Sequence, residues 1–191
     1  MSTPANPPPV PQAGTPAPAV HAWVGLGANL GDAAAALRQA VQALAHTPGI
    51  RLLRTSSLYR SAPVDADGPD YRNAAAELAT ARAPQALLEA LLDVERALGR
   101  ERPYRNAPRR IDLDFLLGAD DSGAPMLVDT ATLQLPHPRL HERAFALAPL
   151  AELDPSLDVP GHGSVDTLLR ACAGQRVERE APLRFPASGA R

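Results

Sequence analysis

The 191-residue chain contains no lysine, so all 19 of its basic side chains are arginine. This absence excludes a lysine Schiff base and a phosphate-binding loop that ends in Gly-Lys-Ser or Gly-Lys-Thr. Any binding of phosphate must therefore depend on arginine, whose planar guanidinium can donate two hydrogen bonds to one anion.

Cysteine, aromatic residues and net charge are also scarce. The single cysteine, Cys172, excludes an internal disulfide and a cysteine-based zinc site. The formal charge of -2 gives no overall attraction to nucleic acid or to an anionic membrane, so a basic site must be local. No apolar run approaches the roughly 18 residues of a membrane span, and the N-terminus lacks the pattern of a secretory signal. We therefore expect a cytoplasmic protein.

The two ends of the chain differ in composition from the middle. Residues 1–20 are mostly Pro, Ala, Ser, Thr and Gly, and they cannot bury enough apolar surface to offset chain entropy. We predict a disordered tail there, one folded domain over residues 21–180, and a second loose tail over residues 181–191. A chain of this length suits one domain.

Between the tails, segments with strand character alternate with helical segments. The predicted order is a strand at 21–27, a helix at 33–46, strands at 50–63 and 71–80, a helix at 84–99 and a strand at 110–117. This βαββαβ order is typical of the ferredoxin-like α/β (α+β) fold, in which two helices cover one face of an antiparallel sheet. Further strands and helices follow as C-terminal additions.

The last of these strands, "RIDLDFLL", contains two carboxylates one residue apart. Strand alternation places Asp112 and Asp114 on one face, and Ile111, Leu113 and Phe115 on the other. The backbones of the two aspartates are about 6.6–7 Å apart, so their carboxylates can converge on one metal ion or on two neighbouring ions. Such oxygen ligands suit Mg²⁺. The alternative is an exposed strand face whose acids discourage pairing with another sheet edge.

A group of arginines directly precedes this strand. Five lie within eleven residues, and the prolines between them prevent a helix that would spread them around a solvated face: Arg100, Arg102, Arg105, Arg109 and Arg110. Cations crowded beside two mutually repelling acids indicate a third partner of high negative charge, and a nucleotide polyphosphate with Mg²⁺ fits. The alternative is a charged loop that pairs with the acids and binds nothing.

One more carboxylate, Glu95, falls on the apolar stripe of the helix predicted at 84–99. We expect it to have a structural partner, such as an arginine of the following loop, in preference to a substrate contact.

Five segments, in order along the chain, resemble the 6-hydroxymethyl-7,8-dihydropterin pyrophosphokinase family: "GLGANLGD", "SSLYRSAPV", "PDYRNAA", "RNAPRRIDLDFL" and "LPHPRLHERAFAL". The resemblance runs from about Trp23 to about Leu157. It implies a ferredoxin-like fold, ATP as co-substrate with two Mg²⁺ ions, and transfer of a pyrophosphoryl group to the pterin in folate biosynthesis, with AMP as the other product. It implies small-molecule substrates and no nucleic-acid or membrane partner, and we expect a monomer.

The resemblance also implies roles for individual residues. Asp112 and Asp114 match metal ligands with a catalytic role, and Arg100 and Arg109 match catalytic phosphate clamps. The pterin-binding positions are Ser61, Val64, Tyr71, Asn73 and Phe145, and the ATP-binding positions are Arg100, Arg102, Arg109, Phe115, His137 and Arg143. The amide of Asn73 offers both a donor and an acceptor to the heterocycle edge, and the ring of Phe145 suits stacking on it.

The chain departs from the family at a few positions. Asn106 stands near the place where relatives often carry a tryptophan, and Phe115 replaces an aliphatic residue. Two other functions remain open: a different Mg²⁺-dependent nucleotidyl or phosphoryl enzyme using the same aspartates, and an RNA-binding ferredoxin-like module. The second requires aromatic residues in an RNP-like motif, whereas aromatics make up 4% of this chain.

Overall fold

The computed structural model describes residues 20–63, 68–99 and 110–183 of the chain. Ten strands lie within these residues: β1 (Val20–Ala28), β2 (Ile50–Thr55), β3 (Ser57–Ser61), β4 (Tyr71–Thr80), β5 (Asp112–Ala119), β6 (Val128–Asp129), β7 (Gln134–Leu135), β8 (Asp158–Val159), β9 (Gly163–Ser164) and β10 (Val177–Pro182). Four α-helices accompany them, α1 (Ala33–His46), α2 (Pro84–Ala97), α3 (Ala144–Leu153) and α4 (Val165–Ala171), with a 3-10 turn at Leu140–Glu142.

Six of the strands form one antiparallel sheet in the order β10-β3-β4-β1-β5, and β2 also pairs with β4. Strands β2 and β3 together occupy one position beside β4, so the first five strands have the arrangement of a ferredoxin-like sheet. This confirms the predicted fold class. The pairs β6-β7 and β8-β9 form two small hairpins among the C-terminal additions.

The two predicted helices form where the sequence signals lie. In α1, the Asp32 carboxylate accepts a hydrogen bond from the Ala35 N–H at 2.9 Å and so caps the helix start. Helix α2 begins at Pro84, where a missing N–H costs nothing, and it ends before Gly99, whose φ of 82° suits glycine.

Both faces of the sheet are covered by helices. Helices α1 and α2 pack on one face, and we call the cluster that they bury, which includes Val24, Leu37 and Leu91, the helix-side core. Helix α3 packs on the opposite face around Trp23 and Leu147. The prediction of two helices on one face therefore describes the first half of the chain, and the C-terminal additions cover part of the other face.

The predicted strand at 50–63 is divided in two at Ser56. The backbone N–H of Ser56 donates to Ala75 O, and its hydroxyl accepts from Ala75 N–H, both at 2.9 Å. The register against β4 shifts between Leu52 and Arg54, which is the mark of a β-bulge. The prediction of one continuous strand is therefore wrong. A bulge depends on the pairing with the partner strand, so it could not be predicted from the sequence of this segment alone.

The C-terminal boundary also lies later than predicted. Strand β10 pairs with β3 and ends at Pro182, and Leu183 is buried in the helix-side core. Residues 181–183, which composition assigns to a loose tail, are thus part of the packed fold. Of the described helices, none is both long and apolar enough to cross a membrane.

Candidate active site

The register of four strands places two of the candidate residues, Asp112 and Asn73, in one row across the sheet. Asp112 of β5 pairs with Gly27 of β1, which pairs with Asn73 of β4, which pairs with Tyr59 of β3. Cross-strand partners point to the same face. The face is the one opposite α1 and α2, as the alternation in "RIDLDFLL" predicts.

A second row lies one step along the sheet and contains Asp114, Gly25 and Ala75. Between the aspartates and β4, strand β1 therefore presents only glycine. Two strand spacings separate the backbones of Asn73 and Asp112, which is about 10 Å. A Cβ added at Gly25 would come within 3.1 Å of Leu116 Cδ1, and one at Gly27 within 3.5 Å of Asn73 Oδ1. The glycines thus keep a shallow trough open between Asn73 and the aspartates.

At one side of the trough, the amide of Asn73 has a fixed orientation. Asn73 is buried, and its Nδ2 donates to the Ser61 hydroxyl at 2.9 Å. Tyr71 pairs with Ser61 on the same face. Three of the five predicted pterin-binding residues therefore lie together, while Val64 lies outside the described residues.

At the other side, the two aspartates offer hard oxygen donors. Asp112 is 7% exposed and Asp114 is half-buried. Within residues 20–63, 68–99 and 110–183, no group of three or more His, Cys, Asp or Glu side chains is arranged to hold a metal. A pair of carboxylates fits Mg²⁺, which binds few protein ligands and completes its shell with waters and phosphate oxygens.

His137 and Arg143 lie near the aspartates. The N–H of His137 donates to Leu116 O at 2.8 Å, which joins this segment to the outer edge of β5. Burial lowers the pKa of His137, the positive charge of Arg143 lowers it further, and Asp112 opposes this effect. The imidazole is therefore neutral at pH 7, although it lies within the electrostatic reach of a carboxylate.

The predicted stacking residue, Phe145, is at the first turn of α3. It is half-buried, and the guanidinium carbon of Arg143 lies 5.6 Å from its ring centroid. This is within the range of a cation–π contact. Phe145 and Arg143 are thus neighbours, although they were predicted to contact different substrates.

The remaining predicted residues either lie outside the described residues or lie on another face of the sheet. Arg100, Arg102 and Arg109 lie outside the described residues, as does Asn106. The Phe115 ring is 3% exposed and belongs to the helix-side core, on the face of β5 opposite the two aspartates.

Glu95 is fully buried on α2, and its Oε1 accepts the backbone N–H of Leu113 at 2.6 Å. The described partner is therefore a main-chain amide of β5. The sequence indicated a structural partner, and a backbone donor on a distant strand leaves no mark in the sequence.

One polar cluster was not predicted. The Glu152 carboxylate on α3 accepts hydrogen bonds from Ser57 N–H at 3.1 Å, Ser57 Oγ at 2.9 Å, and Tyr59 OH and Arg179 Nη2 at 2.8 Å each. Burial alone would raise the pKa of Glu152, but these bonds hold it below its usual value. Burial, with the Glu152 carboxylate, also raises the pKa of Tyr59. An acid on the otherwise apolar helix "AFALAPLAEL" is the signal that could have indicated this cluster.

Comparison with known proteins gives a family and several relatives. The model of the 7,8-dihydro-6-hydroxymethylpterin-pyrophosphokinase (HPPK) family matches residues 23–155. A 2-amino-4-hydroxy-6-hydroxymethyldihydropteridine pyrophosphokinase of Methylorubrum extorquens is 47% identical over 142 residues, which is 74% of this chain and 87% of that protein. The protein of the same name from Pseudomonas aeruginosa is 39% identical over 82% of this chain and 94% of its own length.

Solved structures with the same fold include the wild-type HPPK-DHPS of Plasmodium falciparum with STZ-DHP. It has a TM-score of 0.61 and 12% sequence identity, over 82% of this chain. The same protein with pteroate also gives a TM-score of 0.61, at 13% identity over 80% of this chain. This chain spans 44% of the length of each of those chains. At this identity the likeness shows a common fold.

Proposed function

The chain belongs to the 7,8-dihydro-6-hydroxymethylpterin-pyrophosphokinase family, and from that premise we propose that it transfers the pyrophosphoryl group of ATP to 6-hydroxymethyl-7,8-dihydropterin. The products are AMP and the pterin diphosphate, in a step of folate biosynthesis. At the site itself, the proposal is supported above all by the row of Asn73, Gly27 and Asp112 across the sheet. This row sets a polar recognition group and a pair of carboxylates on either side of a trough.

The pterin binds at the Asn73 side of the trough. Because its Nδ2 is held by Ser61, the Asn73 amide presents a defined donor and acceptor to the edge of the heterocycle. Tyr71 and the backbones of Ser61 and Val64 complete this side. Phe145 stacks on the flat ring, and its position beside Arg143 brings the ring close to the nucleotide.

The triphosphate binds at the Asp112 side. Asp112 and Asp114 would hold two Mg²⁺ ions through their carboxylates, and these ions would neutralise the charge of the phosphates and orient them. Arg100, Arg102 and Arg109, which lie outside the described residues, supply further positive charge. The ring of His137 can donate a hydrogen bond to a phosphate oxygen, while Arg143 contributes a positive charge.

Positioning accounts for the reaction without a covalent enzyme intermediate. The pterin hydroxymethyl oxygen forms a bond to the β-phosphorus of ATP. The bond from that phosphorus to the oxygen bridging the α- and β-phosphates breaks, and its electron pair leaves with AMP. The proton of the pterin hydroxyl is released to solvent. Nearby arginines stabilise the charge that develops on the leaving oxygen.

The first experiment is to incubate the protein with ATP, Mg²⁺ and 6-hydroxymethyl-7,8-dihydropterin and to separate the nucleotide products. We expect AMP to form in step with pterin diphosphate. Asp112→Asn and Asp114→Asn should each lower turnover by roughly 100-fold or more, because metal binding is lost. Asp121→Asn, in an exposed turn, is the matched control and should retain activity.

Other products would contradict this proposal. ADP would mean that only one phosphoryl group is transferred, and pyrophosphate would indicate a nucleotidyl transferase. Full activity in both Asp112→Asn and Asp114→Asn would refute the metal assignment even if AMP is the product.

A further inference from the structure

Strand β5 lies at one end of the described sheet, so the backbone groups on its outer edge need partners other than a strand. At Leu113 that partner is the side chain of Glu95, which reaches the edge from α2. Leu113 is the residue between Asp112 and Asp114. The contact therefore lies at the centre of the segment proposed to hold Mg²⁺.

The contact from Glu95 is strong for a bond to a neutral donor. Its length is 2.6 Å, just below the usual range of about 2.7–3.2 Å for N–H to oxygen. Glu95 also has no exposed surface, whereas the two other buried acids of the described residues, Glu77 and Asp112, are 6% and 7% exposed. Shielding from water strengthens the bond further.

Helix α2 provides a rigid base for this contact. Leu91 and Leu87, one and two turns before Glu95, are fully buried in the helix-side core. The carboxylate is thus fixed relative to the sheet, and it restrains the backbone of Leu113. Because the side chains of Asp112 and Asp114 leave this backbone on either side of Leu113, a shift at Leu113 would displace both carboxylates together.

We infer that Glu95 is a positioning residue that fixes the alignment of Asp112 and Asp114 for Mg²⁺, an inference that rests on the function proposed above. It acts through the Leu113 amide, without touching the metal or the nucleotide. Outer partners that orient metal ligands in this way commonly determine metal affinity.

Calorimetric binding of α,β-methylene-ATP, in Mg²⁺ and separately in EDTA, tests this role without turnover. Glu95→Ala removes the acceptor, and Glu95→Asp withdraws it by one methylene while keeping the charge. Both should weaken Mg²⁺-dependent binding by about 10- to 100-fold and leave binding in EDTA unchanged. Glu95→Gln keeps an acceptor at the same reach and should bind much as the unchanged chain does. Glu89→Ala, on the exposed side of the same helix, is the matched control.

Asp112→Asn in the same assay separates the two proposals. If it abolishes Mg²⁺-dependent binding while all Glu95 variants bind normally, the positioning role is refuted and the metal site stands. If Asp112→Asn has no effect, the metal site fails, and the role of Glu95 fails with it. Equal losses in Mg²⁺ and in EDTA would also refute the positioning role, because they indicate a general disruption of the site.

A second measurement applies if the Ala and Asp variants do not fold. In the unchanged chain, the Leu113 amide proton should exchange with solvent as slowly as the amides of the β1–β5 ladder. Fast exchange would show that the bond to Glu95 does not persist in solution, and it would overturn the inference.

Discussion

At the scale of single residues, the candidate site depends on glycine as much as on charge. Gly27 and Gly25 stand opposite Asp112 and Asp114, so no side chain of β1 enters the trough. Any larger residue at Gly25 would press on Leu116, at 3.1 Å from its Cδ1. The bare backbone of β1 leaves room between Asn73 and the aspartates for the flat ring and the phosphate chain of the proposed substrates.

The pH dependence of stability follows from His137. Its pKa in the folded protein lies below the ordinary value of 6.5, mainly because of burial and then because of Arg143. As the pH falls below about 6.5, the unfolded chain binds a proton that the folded chain resists, so the free energy of unfolding decreases. The stabilisation is present above about pH 6.5. It is lost as the pH falls from there to the lower pKa that His137 has in the folded protein.

We therefore expect His137→Asn to reduce the loss of stability between pH 7.5 and pH 5.5. Urea unfolding at both pH values, without Mg²⁺ or nucleotide, measures the difference. An identical pH dependence in the variant and the unchanged chain would contradict the assignment.

The sequence predicts on which face of a strand a residue lies better than it predicts the partners of that residue. The alternation of "RIDLDFLL" is sufficient to place Asp112 and Asp114 on one face, because strand periodicity is local. The hydrogen bond from Leu113 to Glu95 is formed between residues 18 positions apart in the chain, and it depends on how α2 packs. Nothing in the local sequence encodes that distance.

At the scale of elements, the position of α3 matters because it carries Phe145. Its docking on the sheet includes the Glu152 carboxylate, which collects hydrogen bonds from β3 and β10. Strand β3 also carries Ser61, which orients Asn73. The cluster around Glu152 therefore links α3, which carries the proposed stacking residue Phe145, to the strand beside Asn73.

Glu152→Ala tests this link. The change leaves the N–H of Ser57 and the hydroxyl of Tyr59 without their acceptor, and both residues are buried. We expect a loss of about 1–3 kcal/mol in the free energy of unfolding. We also expect the substitution to weaken pterin binding more than it weakens ATP binding. Alanine is the best helix former, so α3 itself is not weakened.

Denaturant unfolding and separate titrations of pterin and nucleotide would measure these effects. Asp166→Ala is a suitable control, because it removes only an exposed pair with Arg170 on α4, worth about 0–1 kcal/mol. Equal stability of the Glu152 and Asp166 variants would contradict the role of the cluster.

The elements also show where prediction from the sequence stops. Helix α1 has the predicted bounds because its cap and its buried residues Leu37, Val41 and Leu44 are visible in the sequence. The break at Ser56 was not visible, because the pairing with β4 changes register between Thr55 and Tyr59. Local signals thus specify helices and strand faces, while bulges follow from pairing.

At the scale of the whole molecule, one sheet separates two apolar clusters. The helix-side core lies under α1 and α2, and a second cluster lies under α3. The order of the first six predicted segments was sufficient to infer the ferredoxin-like sheet. The covering of its other face was not foreseen, because α3 follows the motif in the chain and no known order of elements specifies where it packs.

The expectation of a monomer stays a prediction, as does the cytoplasmic location. Among the large apolar side chains of the described residues, Leu30 and Leu127 are exposed, at 38% and 72%. Two separate side chains do not form the extended apolar patch that marks most stable interfaces.

Removal of the N-terminal segment tests the domain boundary. Strand β1 begins at Val20, and its residues Ala22, Trp23 and Val24 are buried between β4 and β5. We expect a chain without residues 2–19 to melt within about 2 °C of the full chain, which corresponds to under roughly 1 kcal/mol, with unchanged turnover. Calorimetry and the AMP assay measure both quantities.

A longer deletion provides the contrast. A chain without residues 2–24 also loses half of a central strand, including three buried residues, and it should not fold. If the shorter deletion lowered the melting temperature or the turnover strongly, residues 2–19 would belong to the functional domain. The boundary would then lie well before β1, and the composition of that segment would be a poor guide to its role.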